Sequence, residues 1–168
     1  MIYFFILFKN VIKYGISTGG NSSQISDGAS GVLLARRSVA EKLKLPILAK
    51  FVAYSTAGCE PDVMGIGPIF AIPKCLNKAG VNLDQVDIFE LNEAFASQAS
   101  YCVKKLNIPM SKVNPKGGSI ALGHPLASTG ARMVATLIPE LKRTGKKYGV
   151  VSMCVGTGMG ACALIENE

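Results

Sequence analysis

Short apolar runs and longer apolar stripes alternate along this chain. The compact runs predict four strands, at 48–55, 86–91, 148–155 and 159–165. Between the runs, apolar residues recur at helical spacing, which predicts three main helices, at 68–80, 92–106 and 125–143. The last two strands are joined by Gly156-Thr157-Gly158, which is typical of a tight hairpin turn. This order of elements predicts an α/β fold with a mixed sheet.

Several residues indicate where these elements begin and end. Pro68 suits the first turn of a helix, and Gly80 suits its C-terminal cap. Ser38 is predicted to cap a short helix that ends near Leu43, and Asn92 is a good N-cap for the helix after the second strand. The third main helix carries a polar stripe at Arg132, Thr136, Glu140 and Arg143.

The first 14 residues differ from the rest of the chain, since they are bulky and apolar where the following segment is rich in Gly, Ser and Thr. The run Met1–Phe8 is much shorter than the about 20 residues of a membrane span. It also lacks the basic start and the cleavage site of a signal peptide. We therefore interpret residues 1–14 as an extension outside the domain, with a membrane or interaction anchor as the alternative.

Composition narrows the classes of function. The 168 residues are 49% apolar and 17% charged, which excludes a disordered chain and favours apolar surface that meets a partner or a further domain. The net charge of +7 comes from scattered residues, without an aromatic RNA-binding motif or zinc-finger spacing. The sequence therefore predicts no nucleic-acid partner, and a phosphorylated small substrate accounts for the charge equally well.

The five cysteines occupy positions 59, 75, 102, 154 and 162, and His124 is the single histidine. No two cysteines form a CxxC pair, and the number is odd. Neither a disulfide framework nor a metal site is predicted, and free thiols indicate a reducing compartment rather than secretion.

Three short segments at predicted strand or helix ends carry chemically useful side chains: Asn92-Glu93-Ala94-Phe95, Gly123-His124-Pro125 and Cys154-Val155-Gly156-Thr157-Gly158. Ligand sites of open α/β sheets lie at the carboxyl ends of strands. Taken singly, each residue has an ordinary explanation: a helix cap, a structural histidine and a core cysteine. Together they predict a site that combines an amide, an imidazole and a thiol.

The combination NEAF, GHP and CxGxG, in this order and at these separations, resembles the thiolases. The surrounding GNSSQISDGAS, EPDVMGIGP, NPKGGSIALGHPLASTGAR and YGVVSMCVGTGMGA carry the same resemblance. From about Ser17 to Glu166 the chain is similar to the C-terminal part of 3-ketoacyl-CoA thiolases, most of all the peroxisomal class. The resemblance implies a thiolase-like half of the α/β class, with a five-stranded mixed sheet and helices on both faces. It also implies the boundaries 1–14 for the extension, 15–45 for the last segment of the N-terminal half and 46–168 for the C-terminal domain.

The resemblance also implies roles for individual residues. Asn92 matches an asparagine that holds a catalytic water, and His124 matches the histidine that activates the nucleophile and helps to form an oxyanion hole. Cys154 matches a cysteine that moves protons as an acid and base, and the backbone N–H of Gly156 matches a donor of the other oxyanion hole. Three further positions match residues that line the acyl-CoA channel: Ser23, Met64 and Phe95.

The implied activity is acyl transfer: thiolytic cleavage of 3-ketoacyl-CoA to acetyl-CoA and a shortened acyl-CoA in fatty-acid β-oxidation, or the reverse condensation. CoA is the co-substrate, no other cofactor or metal is implied, and the complete enzyme is expected to be a homodimer without a membrane span. The compartment implied is the peroxisome, with mitochondrion and cytoplasm as alternatives. Because none of the five cysteines lies in the family's nucleophile motif, these 168 residues are expected to be inactive alone. The alternative is a non-catalytic module for acyl-CoA binding or dimerisation.

Overall fold

The computed structural model describes residues 15–168, and the predicted extension at 1–14 lies outside the described residues. Within 15–168 the strands are β1 (Ala49–Gly58), β2 (Ile88–Leu91), β3 (Tyr148–Val155) and β4 (Met159–Asn167). The helices are α1 (Arg37–Lys42), α2 (Gly67–Ala79), α3 (Ala96–Lys105), α4 (Ser119–Leu122) and α5 (Leu126–Thr144). Short 3₁₀ turns lie at Gly19–Asn21, Pro61–Ile66, Leu83–Gln85 and Met110–Lys112.

The strands form one mixed sheet in the order β1-β4-β3-β2. Strand β4 runs antiparallel to both of its neighbours, and its hairpin with β3 closes where Val155 pairs with Met159. Strand β2 runs parallel to β3, with Leu91 opposite Ser152. The carboxyl ends of β2 and β3 therefore lie side by side, which is the geometry that places ligand sites in open α/β sheets.

Two apolar clusters cover the two faces of the sheet. One cluster packs α2 and α3 against the sheet and includes Ile72, Val103 and Val150. The other packs α5 against the opposite face and includes Leu137 and Val151. Neighbouring residues of β3 point to different clusters because side chains alternate along a strand. The predicted α/β class and the helices on both faces are confirmed.

The five-stranded sheet that the resemblance implied is wrong, because the described residues form four strands, at the places that the apolar runs predicted. Beside β2, where a fifth strand would pair, the chain makes only a single bridge between Val113 and Phe89. Asn114 then leaves the extended conformation at φ 45°, and its side-chain amide takes over the pairing with Leu91: Leu91 N–H donates to Oδ1 at 2.8 Å and Nδ2 donates to Leu91 O at 2.9 Å. One amide side chain thus replaces the hydrogen bonds of a strand.

Most predicted helix ends are confirmed, and two N-caps are wrong. Gly80 ends α2 at φ 67°, in the left-handed region that glycine adopts without strain. Helix α3 begins at Ala96 with Phe95 as its N-cap, so Asn92 does not cap it. The N–H of Asn92 instead bonds Ser152 O at 2.9 Å and extends the parallel ladder by one residue. Ser38 lies inside α1, whose N-cap is Arg36.

The segment before α1 lies over the carboxyl end of the sheet. Ser23 N–H donates to Ala94 O at 3.0 Å, and Ser30 Oγ donates to Ser128 O at 2.6 Å. These bonds connect the segment to the start of α3 and to the first turn of α5. Among residues 15–168, the helices are too short or too polar for any of them to cross a bilayer.

Candidate active site

Asn92 lies at the carboxyl end of β2 and is completely buried. Its side chain is held at both ends. Oδ1 accepts a hydrogen bond from Ser119 Oγ at 2.5 Å, and Nδ2 donates to His124 Nε2 at 3.3 Å. A buried amide needs hydrogen-bond partners for its polar atoms. Because the Asn92 side chain does not cap α3, both of its polar atoms bond residues of the candidate site instead.

His124 lies in a rigid turn between Gly123 and Pro125. Gly123 has φ 97°, and a Cβ there would lie 2.8 Å from Ser26 Oγ, so no other residue fits without strain. His124 Nδ1 is 2.7 Å from Thr129 Oγ1. Because Nε2 faces the N–H of Asn92 it must accept, and a neutral imidazole then carries its proton on Nδ1 and donates it to Thr129.

The surroundings of His124 favour the neutral imidazole. Burial lowers the pKa of His124, and the positive charge of Arg132 lowers that pKa further. Near neutral pH the ring is therefore uncharged, with a basic lone pair on Nε2. A neutral imidazole in this tautomer can accept a proton from a thiol or a water molecule.

Behind Asn92 lies a second layer of polar groups that the sequence motifs did not single out. Arg132 donates to Ser119 Oγ at 3.2 Å and forms an ion pair with Glu90 Oε2 at 3.4 Å. Glu90 is 1% exposed, and burial raises its pKa to about 7. Its other oxygen, Oε1, has no hydrogen-bond partner among the described residues. The sequence offered one indication: the apolar run 86–91 contains two carboxylates, Asp87 and Glu90, and such groups are rarely buried unpaired.

Cys154 lies near the end of β3 and is half-buried. By strand alternation it lies on the same side of the sheet as Val150, which packs against α2 and α3. Burial raises the pKa of the Cys154 thiol, and the nearby Cys59 thiol raises it further. Cys154 is therefore a protonated thiol at neutral pH, which makes it a proton donor in this state.

The turn after Cys154 is fixed by a close approach of two backbones. Gly158 has φ 95°, and a Cβ there would lie 2.3 Å from Cys59 O. The Gly158 carbonyl also accepts a hydrogen bond from Cys59 N at 2.9 Å. By contrast, the space around the Gly156 Cα is open, so a ligand can approach the backbone there.

The three predicted channel residues occupy two places. Ser23 and Phe95 are close together, since Ser23 Oγ donates to Ala94 O at 3.2 Å and Ser22 forms a bridge with Phe95. Met64 lies in the 3₁₀ turn before α2, where its carbonyl is 4.0 Å from Cys59 Sγ. Met64 therefore belongs to the surroundings of the thiols, and Ser23 and Phe95 to those of the segment after Asn92.

Of the predicted amide, imidazole and thiol, the amide and the imidazole are in direct contact. Asn92 and His124 are hydrogen-bonded on the α5 side of the sheet, and Cys154 lies at the neighbouring strand end towards α2 and α3. The two titratable groups have pKa values shifted in opposite directions, with His124 lowered and Cys154 raised. Opposite shifts of this kind distinguish a proton acceptor from a proton donor. Within residues 15–168, the acidic, cysteine and histidine side chains form no group of three that could hold a metal ion.

Comparison with known proteins finds similarity to thiolases, both in a family model and in individual relatives. The family model "Thiolase, C-terminal domain" matches residues 45–167. The chain is 64% identical over 155 residues to the peroxisomal 3-ketoacyl-CoA thiolase of Homo sapiens, which covers 92% of this chain and 37% of that protein. The chain thus spans little more than a third of the length of the curated relatives it matches.

Solved structures show the same relationship. The dimeric peroxisomal thiolase of Saccharomyces cerevisiae is 57% identical with a TM-score of 0.88, and the match covers 94% of this chain and 40% of that one. The human mitochondrial 3-ketoacyl-CoA thiolase in complex with CoA is 42% identical with a TM-score of 0.82, over 90% of this chain and 39% of that one.

Proposed function

The chain belongs to the thiolase family, and from that premise we propose that it carries acid and base machinery for acyl transfer between thiols. The reaction is thiolytic cleavage of 3-ketoacyl-CoA to acetyl-CoA and a shortened acyl-CoA, or the reverse condensation. The observation that carries this proposal is the hydrogen bond from Asn92 to a neutral His124, at the strand end next to the protonated Cys154.

Each residue has a defined part in the cleavage. His124 Nε2 takes the proton from a nucleophilic thiol, which the family carries in its first half, and the thiolate attacks the keto carbon. The bond between the α and β carbons of the substrate then breaks, and Cys154 gives its proton to the α carbon of the acetyl-CoA carbanion that leaves. The Cys154 thiolate then takes a proton from incoming CoA, whose thiolate attacks the acyl-enzyme and releases the shortened acyl-CoA. The freed enzyme thiolate takes back its proton from His124. Asn92 orients a water beside His124, and Gly156 N–H stabilises an oxyanion.

The substrate class is a CoA thioester. Ser23 and Phe95 on one side and Met64 on the other are proposed to line its channel, and CoA is bound by a relative of known structure. The net charge of +7 suits a ligand that carries phosphates. We propose CoA as co-substrate, with no further cofactor and no metal.

We propose a homodimer as the assembled state and the peroxisome as the compartment. The dimeric yeast relative and the peroxisomal relatives support both. A groove of about 240 Å³ between β1 and α5 is lined by apolar side chains, among them Phe51, Tyr54 and Val134. This groove is proposed to face a second α/β core domain in the assembled enzyme, since apolar surface of this kind is rarely left in water.

A chimera can supply the nucleophilic thiol that this reaction requires. Residues 15–168 are fused behind the first half of a peroxisomal relative, and thiolysis of acetoacetyl-CoA and of a longer 3-ketoacyl-CoA is measured. We expect turnover in the chimera and none in the 168-residue polypeptide. CoA-thioester binding without turnover in a folded chimera would instead favour a binding or dimerisation module. Turnover by the 168 residues alone, abolished by alkylation of one cysteine, would contradict the assignment of roles.

A further inference from the structure

We propose that Ser119, held in place by Arg132 and Glu90, is a positioning residue that fixes the amide orientation of Asn92 and, through it, the tautomer of His124. The catalytic meaning of this arrangement rests on the proposed function. The arrangement itself rests on the hydrogen bonds of the described residues.

The first step is the orientation of the Asn92 amide. Ser119 is completely buried, and its Oγ lies 2.5 Å from Asn92 Oδ1. A hydroxyl can donate to an amide oxygen, whereas an amide nitrogen has no lone pair with which to accept. A Ser119 hydroxyl that donates therefore selects the oxygen of Asn92 and turns Nδ2 towards His124.

The second step is the direction of the Ser119 hydroxyl. Arg132 Nη2 donates to Ser119 Oγ at 3.2 Å, and a guanidinium has donors only. The Ser119 hydrogen therefore cannot point at Arg132, and Asn92 Oδ1 is the acceptor within reach. Because the guanidinium is charged, the hydrogen bond from Arg132 to Ser119 is stronger than one between neutral groups.

The third step is the placement of Arg132. Its guanidinium pairs with Glu90 Oε2 at 3.4 Å. Glu90 stands in β2 two residues before Asn92, so both side chains lie on the α5 side of the sheet. The buried carboxylate thus aligns the guanidinium along the strand end, next to the serine that orients Asn92.

The last step connects the amide to the imidazole. With Asn92 Nδ2 facing it, His124 Nε2 must accept, and the ring proton stays on Nδ1, 2.7 Å from Thr129 Oγ1. The other tautomer would set an N–H of the ring against an N–H of the amide. Its formation requires the amide to turn over, which breaks the bond to Ser119. The chain of contacts therefore keeps Nε2 unprotonated, with its lone pair accepting from Asn92.

The test reads the tautomer directly. His124 is the single histidine, so ¹⁵N-labelled 168-residue chain gives the signals of one imidazole, whose protonated and unprotonated nitrogens are well separated in shift. Spectra are recorded at a pH where the ring is neutral, with circular dichroism to confirm folding. We expect a single Nδ1–H tautomer in the unchanged chain.

Ser119→Ala removes the orienting donor, and we expect the preference for the Nδ1–H tautomer to fall about tenfold, the factor that one net hydrogen bond corresponds to. The matched control is Ser152→Ala, which deletes another buried hydroxyl that donates to Ala161 O at 2.8 Å. It should cost similar stability and leave the tautomer unchanged. A Ser119→Ala chain that keeps the tautomer of the unchanged chain would overturn the proposal, as would an equal change in Ser152→Ala.

Two further variants keep the proposal open to contradiction if Ser119→Ala does not fold. Asn92→Asp offers only acceptors, so the ring proton should move to Nε2. Arg132→Met frees the Ser119 hydroxyl, and the Nδ1–H preference should fall a few-fold. An unchanged tautomer in either folded variant would overturn the proposal. The readout needs no turnover: a chimera without thiolysis would count against the proposed function alone, and an unaltered tautomer against the positioning role alone.

Discussion

The two ends of the candidate site are held by different forces. Asn92 and His124 are held by directed hydrogen bonds from Ser119 and to Thr129, which determine the atom that carries each proton. Cys154 is held by burial and lies near the Cys59 thiol, and burial is the main reason that it keeps its proton. In one site, hydrogen bonds therefore determine where the proton of the base, His124, lies, and burial keeps the proton on the acid, Cys154. This difference predicts that the two ends respond differently to substitution.

The largest effect is expected at the hydrogen-bonded end. In the chimera, His124→Ala removes the imidazole of the candidate site, and acyl-enzyme formation should slow by about 10²–10⁴-fold, the usual contribution of a positioned base. Single-turnover measurements with a 3-ketoacyl-CoA would show it. The thermal midpoint should change little, because His124 lies in a turn rather than in an apolar cluster. An unchanged rate per folded molecule with a large fall in midpoint would make His124 a structural residue.

At the buried end, Cys154→Ser should slow the proton-transfer steps by about 10²-fold and leave acylation measurable. The matched control is Cys102→Ser, since Cys102 is completely buried and burial raises its pKa to about 11. This control should lose about 1–3 kcal/mol of stability, the cost of a buried hydroxyl, without a change in rate per folded molecule. If both variants behave like the control, Cys154 is a core residue.

The sequence predicted the fold better than the contacts of the site. Strand and helix positions follow from periodicity, and Gly80 is read correctly because few residues adopt its conformation. The prediction that Asn92 caps α3 is wrong because a cap is a local property, whereas its actual partners, Ser119 and His124, are 27 and 32 residues away. The position of Asn92 at a strand end was predictable, and its bonding was not.

The supporting residues were harder still to predict. Arg132 belongs to the polar stripe of its helix, a pattern that ordinarily faces solvent, yet its guanidinium reaches a buried carboxylate on the sheet. Helical periodicity gives the face on which a residue lies but not how far a long side chain extends. The fifth strand, which only the resemblance implied, is absent from the described residues because Asn114 replaces strand pairing with its side chain.

Burial of the Glu90 carboxylate behind Asn92 should make the stability of the chain depend on pH. Its pKa is about 7 in the folded chain, against 4.5 ordinarily. The folded state therefore binds more protons than the unfolded state between these values, and stability falls as pH rises through this window. Glu90→Gln should remove this dependence. From pH 5 to pH 8, the unchanged chain should lose on the order of 3 kcal/mol relative to Glu90→Gln.

Urea unfolding at the two pH values measures this difference, and the difference between the two chains cancels most other titrations. His124 acts in the opposite direction: its lowered pKa removes stability as pH falls below the usual histidine range. The control is Glu41→Gln, an exposed carboxylate on α1. Equal pH dependence in Glu90→Gln and Glu41→Gln would show that the Glu90 ion pair with Arg132 compensates for its burial.

The smallest change in stability is expected in the groove between β1 and α5, which neither end of the site uses. The register of β1 shifts between Phe51 and Ala53, so that Phe51 and Tyr54 line the same groove although they are three residues apart. Both rings are about half exposed, at 51% and 48%.

Phe51→Thr keeps a residue that favours strands and should change stability by no more than about 0.5 kcal/mol, while dye binding and self-association of the 168-residue chain fall. Phe70→Gln on α2 is the control, because Phe70 is 45% exposed but lies outside the groove. If dye binding falls equally in both variants, the association comes from exposed aromatic rings in general. That result would contradict the proposal that the groove faces a second core domain.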